Sequence, residues 1–218
     1  MSLETKLVKI SNKDIQTIIP KRPTNERIIV KSSVTNVGRM RSLKKDQRDY
    51  IFQYESPLER DFYLLLDHDK NCLQFVAQPK LNITYITYKN IKSEITLDTW
   101  AMFYNSEENS IYIRLFEIKH SKQLDKLLKV YIAPEEDRLQ IIEEILKNQD
   151  PNDKLKLSKS VLLNFPLRMK AIKEWVSNHP FRPLECEFMF MTEEKIRCDE
   201  RLNNIKYLLK GANIFIRS

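Results

Sequence analysis

Glycine is almost absent: the 218-residue chain has two, Gly38 and Gly211. Loops of the G-x-x-x-x-G-K-[ST] and G-x-G-x-x-G kinds need several glycines within a few residues, because their backbone must come very close to a phosphate. Nucleotide-driven motors and dinucleotide oxidoreductases are therefore excluded. A hydrophobic content of 42% with 10% aromatics is enough for a packed core, and the length suits one sizeable domain with an appendage. No apolar run approaches the roughly 20 residues of a membrane-spanning helix. The opening residues lack the apolar segment of a secretory signal, so a cytoplasmic protein without membrane partners is expected. Cys72, Cys186 and Cys198 are far apart, as are His68, His120 and His179. That spacing gives neither a disulfide framework nor a zinc site.

Charge is unevenly spread. Residues 1–50 hold 12 Lys/Arg against 5 Asp/Glu, so the whole formal excess of +7 lies there and the remainder is neutral. Within this stretch, Arg39, Arg41, Lys44 and Lys45 form a basic run suited to phosphate contact. A solvated leader is the competing reading. We expect a basic N-terminal arm over 1–50 and a folded domain over 51–218.

The order of elements points to a mixed α/β domain. Ser56-Pro57 before Leu58, Phe62, Leu65 and Leu66 supplies an N-cap, a proline at the first helical position and an apolar stripe, predicting a helix over 57–68. Three β-branched or aromatic runs follow, Leu81 to Tyr88, Ile95 to Phe103 and Ile111 to Lys119, separated by polar turns at 89–94 and 104–110. Helices are expected over 135–148 and 165–178, then a strand from Glu185 to Met191, and a helix over 199–210 closed by Gly211. The region 120–165 is expected to form helices that pack on the sheet or face partners, with Tyr131 and Trp175 as core or interface aromatics.

The run Ile111 to Lys119 has the sharpest chemical signal. With a period of two, Ile111, Ile113, Leu115, Glu117 and Lys119 share a face, so an apolar face ends in a carboxylate and an ammonium. Burying an unpaired charge costs several kcal/mol, so these two should pair, face a wet cleft or bind an ion. Asp98 interrupts the preceding apolar run, where aspartate is a poor strand former. Paired strands would let Asp98 and Glu117 converge on one cation, and oxygen-only ligation suits Mg²⁺ or Mn²⁺. Plainer readings stand beside these. Glu117 with Lys119 can be a surface ion pair, Asp98 a turn or bulge residue, and Glu59 the acid of a capping box begun by Ser56. Lys122, on the segment after the charged strand, is a candidate phosphate contact or part of a solvated helical face.

Asp98 followed by Glu117-Ile118-Lys119 resembles the D…(D/E)-x-K signature of the PD-(D/E)xK, restriction-endonuclease-like nucleases. Flanking residues narrow the likeness. Tyr54-Glu55-Ser56-Pro57-Leu58-Glu59-Arg60-Asp61-Phe62, then Gln78-Pro79, then Phe116 to Lys119, are similar to the TnsA endonuclease subunit of heteromeric transposases, and Met191 to Leu208 resembles that family's close. The resemblance implies a restriction-endonuclease-like mixed β-sheet core flanked by helices. It also implies catalytic residues Glu59, Asp98, Glu117 and Lys119, with Mg²⁺ or Mn²⁺ held by Asp98, Glu117, the Ile118 carbonyl and Glu59. Such an enzyme hydrolyses the 5′ strands of double-stranded DNA at transposon ends, leaving 5′-phosphate and 3′-hydroxyl. Its partners are a DDE-type transposase subunit and an AAA+ regulator. Two alternatives stay open: a nuclease of the same fold in restriction or repair, and an inactive DNA- or partner-binding module.

Overall fold

The computed structural model describes residues 38–42, 51–182 and 184–211. Its centre is a four-stranded mixed sheet in the order β3-β6-β7-β8, made of β3 (Cys72–Ala77), β6 (Thr99–Asn105), β7 (Ser110–Lys119) and β8 (Glu185–Thr192). β3, β6 and β7 run antiparallel, and β8 joins β7 in parallel. A parallel neighbour needs a long crossover. Here it is three helices, α2 (Ser121–Ile132), α3 (Arg138–Lys147) and α4 (Lys159–Ser177). Helix α1 (Pro57–His68) precedes the sheet, and α5 (Glu193–Arg197) and α6 (Glu200–Gly211) follow it. No helix among the described residues is long and apolar enough to cross a membrane.

Because successive strand residues point to opposite faces, the sheet has an apolar core on each side. Phe75, Ala101, Phe116 and Ile118 pack against Phe62, Leu65 and Leu66 of α1 and Ile196 and Leu202 of the last two helices. Val76, Trp100, Ile113 and Leu115 pack against Leu127 of α2 and Leu162, Phe165 and Met169 of α4. Fully burying one such side chain stabilises by about 1.5–3 kcal/mol. A sheet covered on both faces is thus the stable layer arrangement for this sequence.

The expected helix over 57–68 forms with those bounds. Ser56 caps it, its side chain accepting from the Glu59 N–H, and Pro57 opens it. The helix expected at 165–178 begins earlier, at Lys159, after the Ser158 cap, and tolerates Pro166 inside it. Tyr131 and Trp175 pack against the core, as expected.

The three-strand expectation needs correcting. The run from Leu81 to Tyr88 is not in the central sheet. Its middle forms β4 (Ile83–Ile86), a separate hairpin with β5 (Lys92–Ile95), a strand that falls within the expected polar turn and at the start of the expected Ile95 to Phe103 strand. The first central strand is instead β3, from a segment not read as a strand. The continuous strand expected from Ile95 to Phe103 breaks at 96–98: β5 belongs to the side hairpin, β6 starts at Thr99, and Asp98 lies in the bend between them.

Residues 38–42, within the expected arm, also have structure. β1 (Gly38–Arg41) pairs antiparallel with β2 (Ile51–Tyr54), and the buried Ser42 hydroxyl donates to Asp67 of α1 at 2.6 Å. Gly38 stands opposite Tyr54, whose hydroxyl a Cβ at that position would strike. Lys44 and Lys45 lie outside the described residues. With glycine so scarce, left-handed turn positions go to asparagine, whose short polar side chain tolerates them: Asn82, Asn90 and Asn109 have φ of 56, 58 and 50°.

Candidate metal and phosphate site

The site gathers at the C-terminal end of β7. Pairing of β6 with β7 sets Thr99 opposite Phe116, and the Asp98 N–H extends the ladder by donating to the Phe116 carbonyl at 3.1 Å. Asp98 therefore lies beside Glu117 although it is not in a strand. The Asp98 carbonyl is held from two further segments. The Tyr63 hydroxyl of α1 donates to it at 3.0 Å, and the Gln78 N–H donates at 2.9 Å. Gln78 has a φ of 47°, a conformation costly for a long side chain, and such strain persists only where the surroundings enforce it. Its amide also donates to Glu55 at 3.1 Å.

The side chains converge. Lys119 Nζ is 2.8 Å from Glu117 Oε1 and 4.0 Å from Asp98 Oδ2, so these two oxygens lie no more than 6.8 Å apart. The Ile118 N–H donates to Asp98 Oδ2 at 2.6 Å, and the Ile118 carbonyl accepts from Lys119 Nζ at 3.3 Å. Glu117 is buried, and among the described residues its Oε2 has no hydrogen-bond partner. A buried oxygen without a donor costs about 1–3 kcal/mol, more when charged, and is the kind of group that a cation satisfies.

Electrostatics agree with the distances. Burial, then the Glu117 charge, push the Asp98 carboxyl up to about 7 against the opposing pull of Lys119 and the Ile118 N–H. Burial works against the Lys119 ammonium, but Glu117 and Asp98 together outweigh it and hold its pKa above the usual lysine value. Two carboxylates that repel each other beside one ammonium favour a divalent cation between them.

Glu59 is close enough for its charge to act on Asp98, and burial raises its own pKa. Its oxygens, however, are engaged in a variant of the expected capping box: Oε2 accepts at 2.8 Å from the Glu55 N–H, one residue before the Ser56 N–H that such a box uses, and Oε1 accepts from the Ser56 hydroxyl at 3.1 Å. Among the described residues no three His, Cys, Asp or Glu side chains are grouped to hold one ion. The ready ligands are thus Asp98, Glu117 and the Ile118 carbonyl, and their donor chemistry and the unpartnered oxygen fit Mg²⁺ or Mn²⁺.

Of the basic candidates, Arg39 and Arg41 are exposed on β1 and Lys122 is exposed on α2, the helix that follows Lys119. The sequence reading missed Arg168. This α4 residue is 3.4 Å from Glu117 Oε1 and lines a cleft of about 310 Å³ with Lys119, His120, Gln123 and Phe165. The available signal was a lone arginine between Phe165 and Met169 in an apolar helix stripe. Tyr63 and Gln78 were also missed as supports of Asp98, since main-chain acceptors leave no mark in a sequence. No protein-family model and no curated protein matches this chain.

Proposed function

We propose that this protein is a metal-dependent DNA endonuclease of the restriction-endonuclease-like fold, acting as the 5′-strand-cleaving subunit of a heteromeric transposase. One observation carries the reading: Asp98 and Glu117, distant in sequence, flank Lys119 at the end of one strand, with a buried Glu117 oxygen that lacks a partner among the described residues. The order helix, strand, hairpin, two strands, helices, parallel strand supports the fold assignment. The likeness of residues 54–62, 78–79 and 116–119 to the TnsA family supports the transposition assignment.

Asp98 and Glu117, with the Ile118 carbonyl, would hold Mg²⁺ or Mn²⁺, and Glu59 would join them on leaving its cap. The ion, when bound, supplies an acidified water and neutralises charge on the phosphoryl oxygens. Lys119, released from Glu117, orients the attacking oxygen and stabilises the anionic transition state. Arg39 and Arg41 on β1 and Lys122 on α2 would track the duplex backbone. A DDE-type transposase would cut the other strands and an AAA+ regulator would license both reactions. The protein would act on DNA in the cytoplasm of a prokaryote.

A second reading rests on the charge pairing itself. Lys119 and Arg168 already neutralise Glu117, and a site closed in this way suits an inactive DNA- or partner-binding module. The deciding experiment is cleavage of transposon-end DNA in Mg²⁺, with and without a partner transposase, by wild type and Asp98→Ala. Cleavage lost in the variant supports the nuclease. No cleavage under either condition, with no Mn²⁺ binding by calorimetry, leaves the binding module. Cleavage of unrelated duplexes without a partner points to a restriction or repair enzyme.

A further inference from the structure

Resting on the nuclease reading, we propose that Arg168 is the phosphate-gripping residue of the site, held by Glu117 until a divalent cation takes that carboxylate and then passed to the scissile phosphodiester. Arg168 approaches Glu117 Oε1, the same oxygen that Lys119 reaches at 2.8 Å, and does so at 3.4 Å. Charge-assisted bonds of this type settle near 2.7–2.9 Å, so the arginine is loosely held. Among the described residues Glu117 is its one hydrogen-bond partner, although a guanidinium has five N–H groups. Its side chain keeps 27% exposure and lines the cleft shared with Lys119.

Formal charge gives the direction of the exchange. With Glu59, Asp98 and Glu117 ionised against Lys119 and Arg168, the site has one net negative charge. A divalent cation reverses it to one net positive charge, and a single phosphodiester brings it to zero. The cation binds the carboxylate that Arg168 now touches, so the arginine loses its anion as the substrate supplies another. A planar guanidinium fits two phosphate oxygens at once, which a lysine cannot do. If Arg168 only held Glu117 in place, its removal would weaken metal and DNA binding together. A gripping role separates the two.

The test uses the full chain, Mn²⁺ by calorimetry, and a fluorescein-labelled duplex by anisotropy in either Ca²⁺ or EDTA. For Arg168→Gln we expect Mn²⁺ affinity equal to or above that of wild type, because a competing cation is gone. Its duplex affinity should fall roughly tenfold or more in Ca²⁺, the loss of one or two charge-assisted bonds, yet match wild type in EDTA. Arg168→Lys, which keeps the charge on α4 and guards against misfolding, should recover part of the Ca²⁺ affinity. Unchanged duplex affinity in Ca²⁺, an equal loss in EDTA, or a parallel loss of Mn²⁺ affinity would each overturn the role of Arg168. Wild type whose Mn²⁺ binding is absent or unaffected by Glu117→Gln would instead sink the nuclease reading, and this role with it.

Discussion

Asp61 and Glu117 are equally hidden, each 5% exposed, yet their surroundings differ in kind. Asp61, on α1, has both oxygens engaged: Arg60 donates to Oδ1 at 2.8 and 3.1 Å, and Lys206 of α6 donates to Oδ2 at 2.6 Å. At Glu117 two cations crowd one oxygen, the other has no partner among the described residues, and a second carboxylate lies nearby. Removing a buried charge's partners is costly, so a structural acid should be satisfied as Asp61 is. The contrast separates an acid that ties α6 to α1 from an acid whose second oxygen is left unpaired among the described residues, as the proposed cation site requires.

The comparison fails most visibly if chemistry persists without the site. Asp98→Ala and Lys119→Ala are each expected to reduce Mg²⁺-dependent cleavage by about 10³-fold or more, as when a group that stabilises transition-state charge is lost. Circular dichroism should stay close to wild type, and retained cleavage in both variants would remove the assigned roles. Next in size is a stability difference. Asp61→Ala leaves Arg60 and Lys206 without their carboxylate and should cost about 3 kcal/mol in urea unfolding. Glu117→Gln takes the carboxylate from Lys119 and Arg168 but keeps an acceptor oxygen and relieves the repulsion with Asp98, so it should cost less, about 1 kcal/mol. Equal losses would show that both acids serve stability.

Protonation sharpens the contrast further. The Asp98 carboxyl is raised from 3.8 to about 7 in the folded protein. Its stabilising contribution is therefore fully present below the unfolded value and is lost as pH rises toward and through about 7. Asp98→Asn lacks that loss, so without metal its melting temperature should gain on wild type between pH 5 and 8. Wild-type Mn²⁺ affinity should climb over the same interval, because protons compete with the ion for Asp98. A constant melting gap or a flat affinity would contradict the raised Asp98 pKa that burial and the Glu117 charge produce. The smallest expected effect belongs to Glu59→Gln. Glutamine preserves the capping box, so stability should change by no more than about 0.5 kcal/mol. A fall in Mn²⁺ affinity would show that Glu59 leaves its cap for the ion.

What could be read from the sequence follows the range of the forces involved. The α1 cap, its proline and its apolar stripe are local, and the bounds of that helix were legible from Ser56 onward. The Glu117 and Lys119 pairing was legible because two residues apart on a strand means one face. β3 was not, since CLQFVA is short and lacks clear alternation, and only pairing with β6 makes it a strand. Leu81 to Tyr88 has strong strand propensity, but propensity does not choose a partner, and the turn at Asn90 directs β4 to β5. Arg168 became visible only when the crossover helix was laid over the sheet, because its partner is 51 residues away.

The bend at Asp98 has a practical consequence for altering this molecule. One peptide carbonyl there is gripped from α1 through Tyr63 and from the end of β3 through Gln78, so the aim of the carboxylate is set by neighbours that never meet an ion. Phenylalanine at position 63 would leave the aromatic packing whole and free that carbonyl on one side. Under the proposed nuclease function, retuning the protein would thus begin behind the acidic side chains, in the scaffolding that points them.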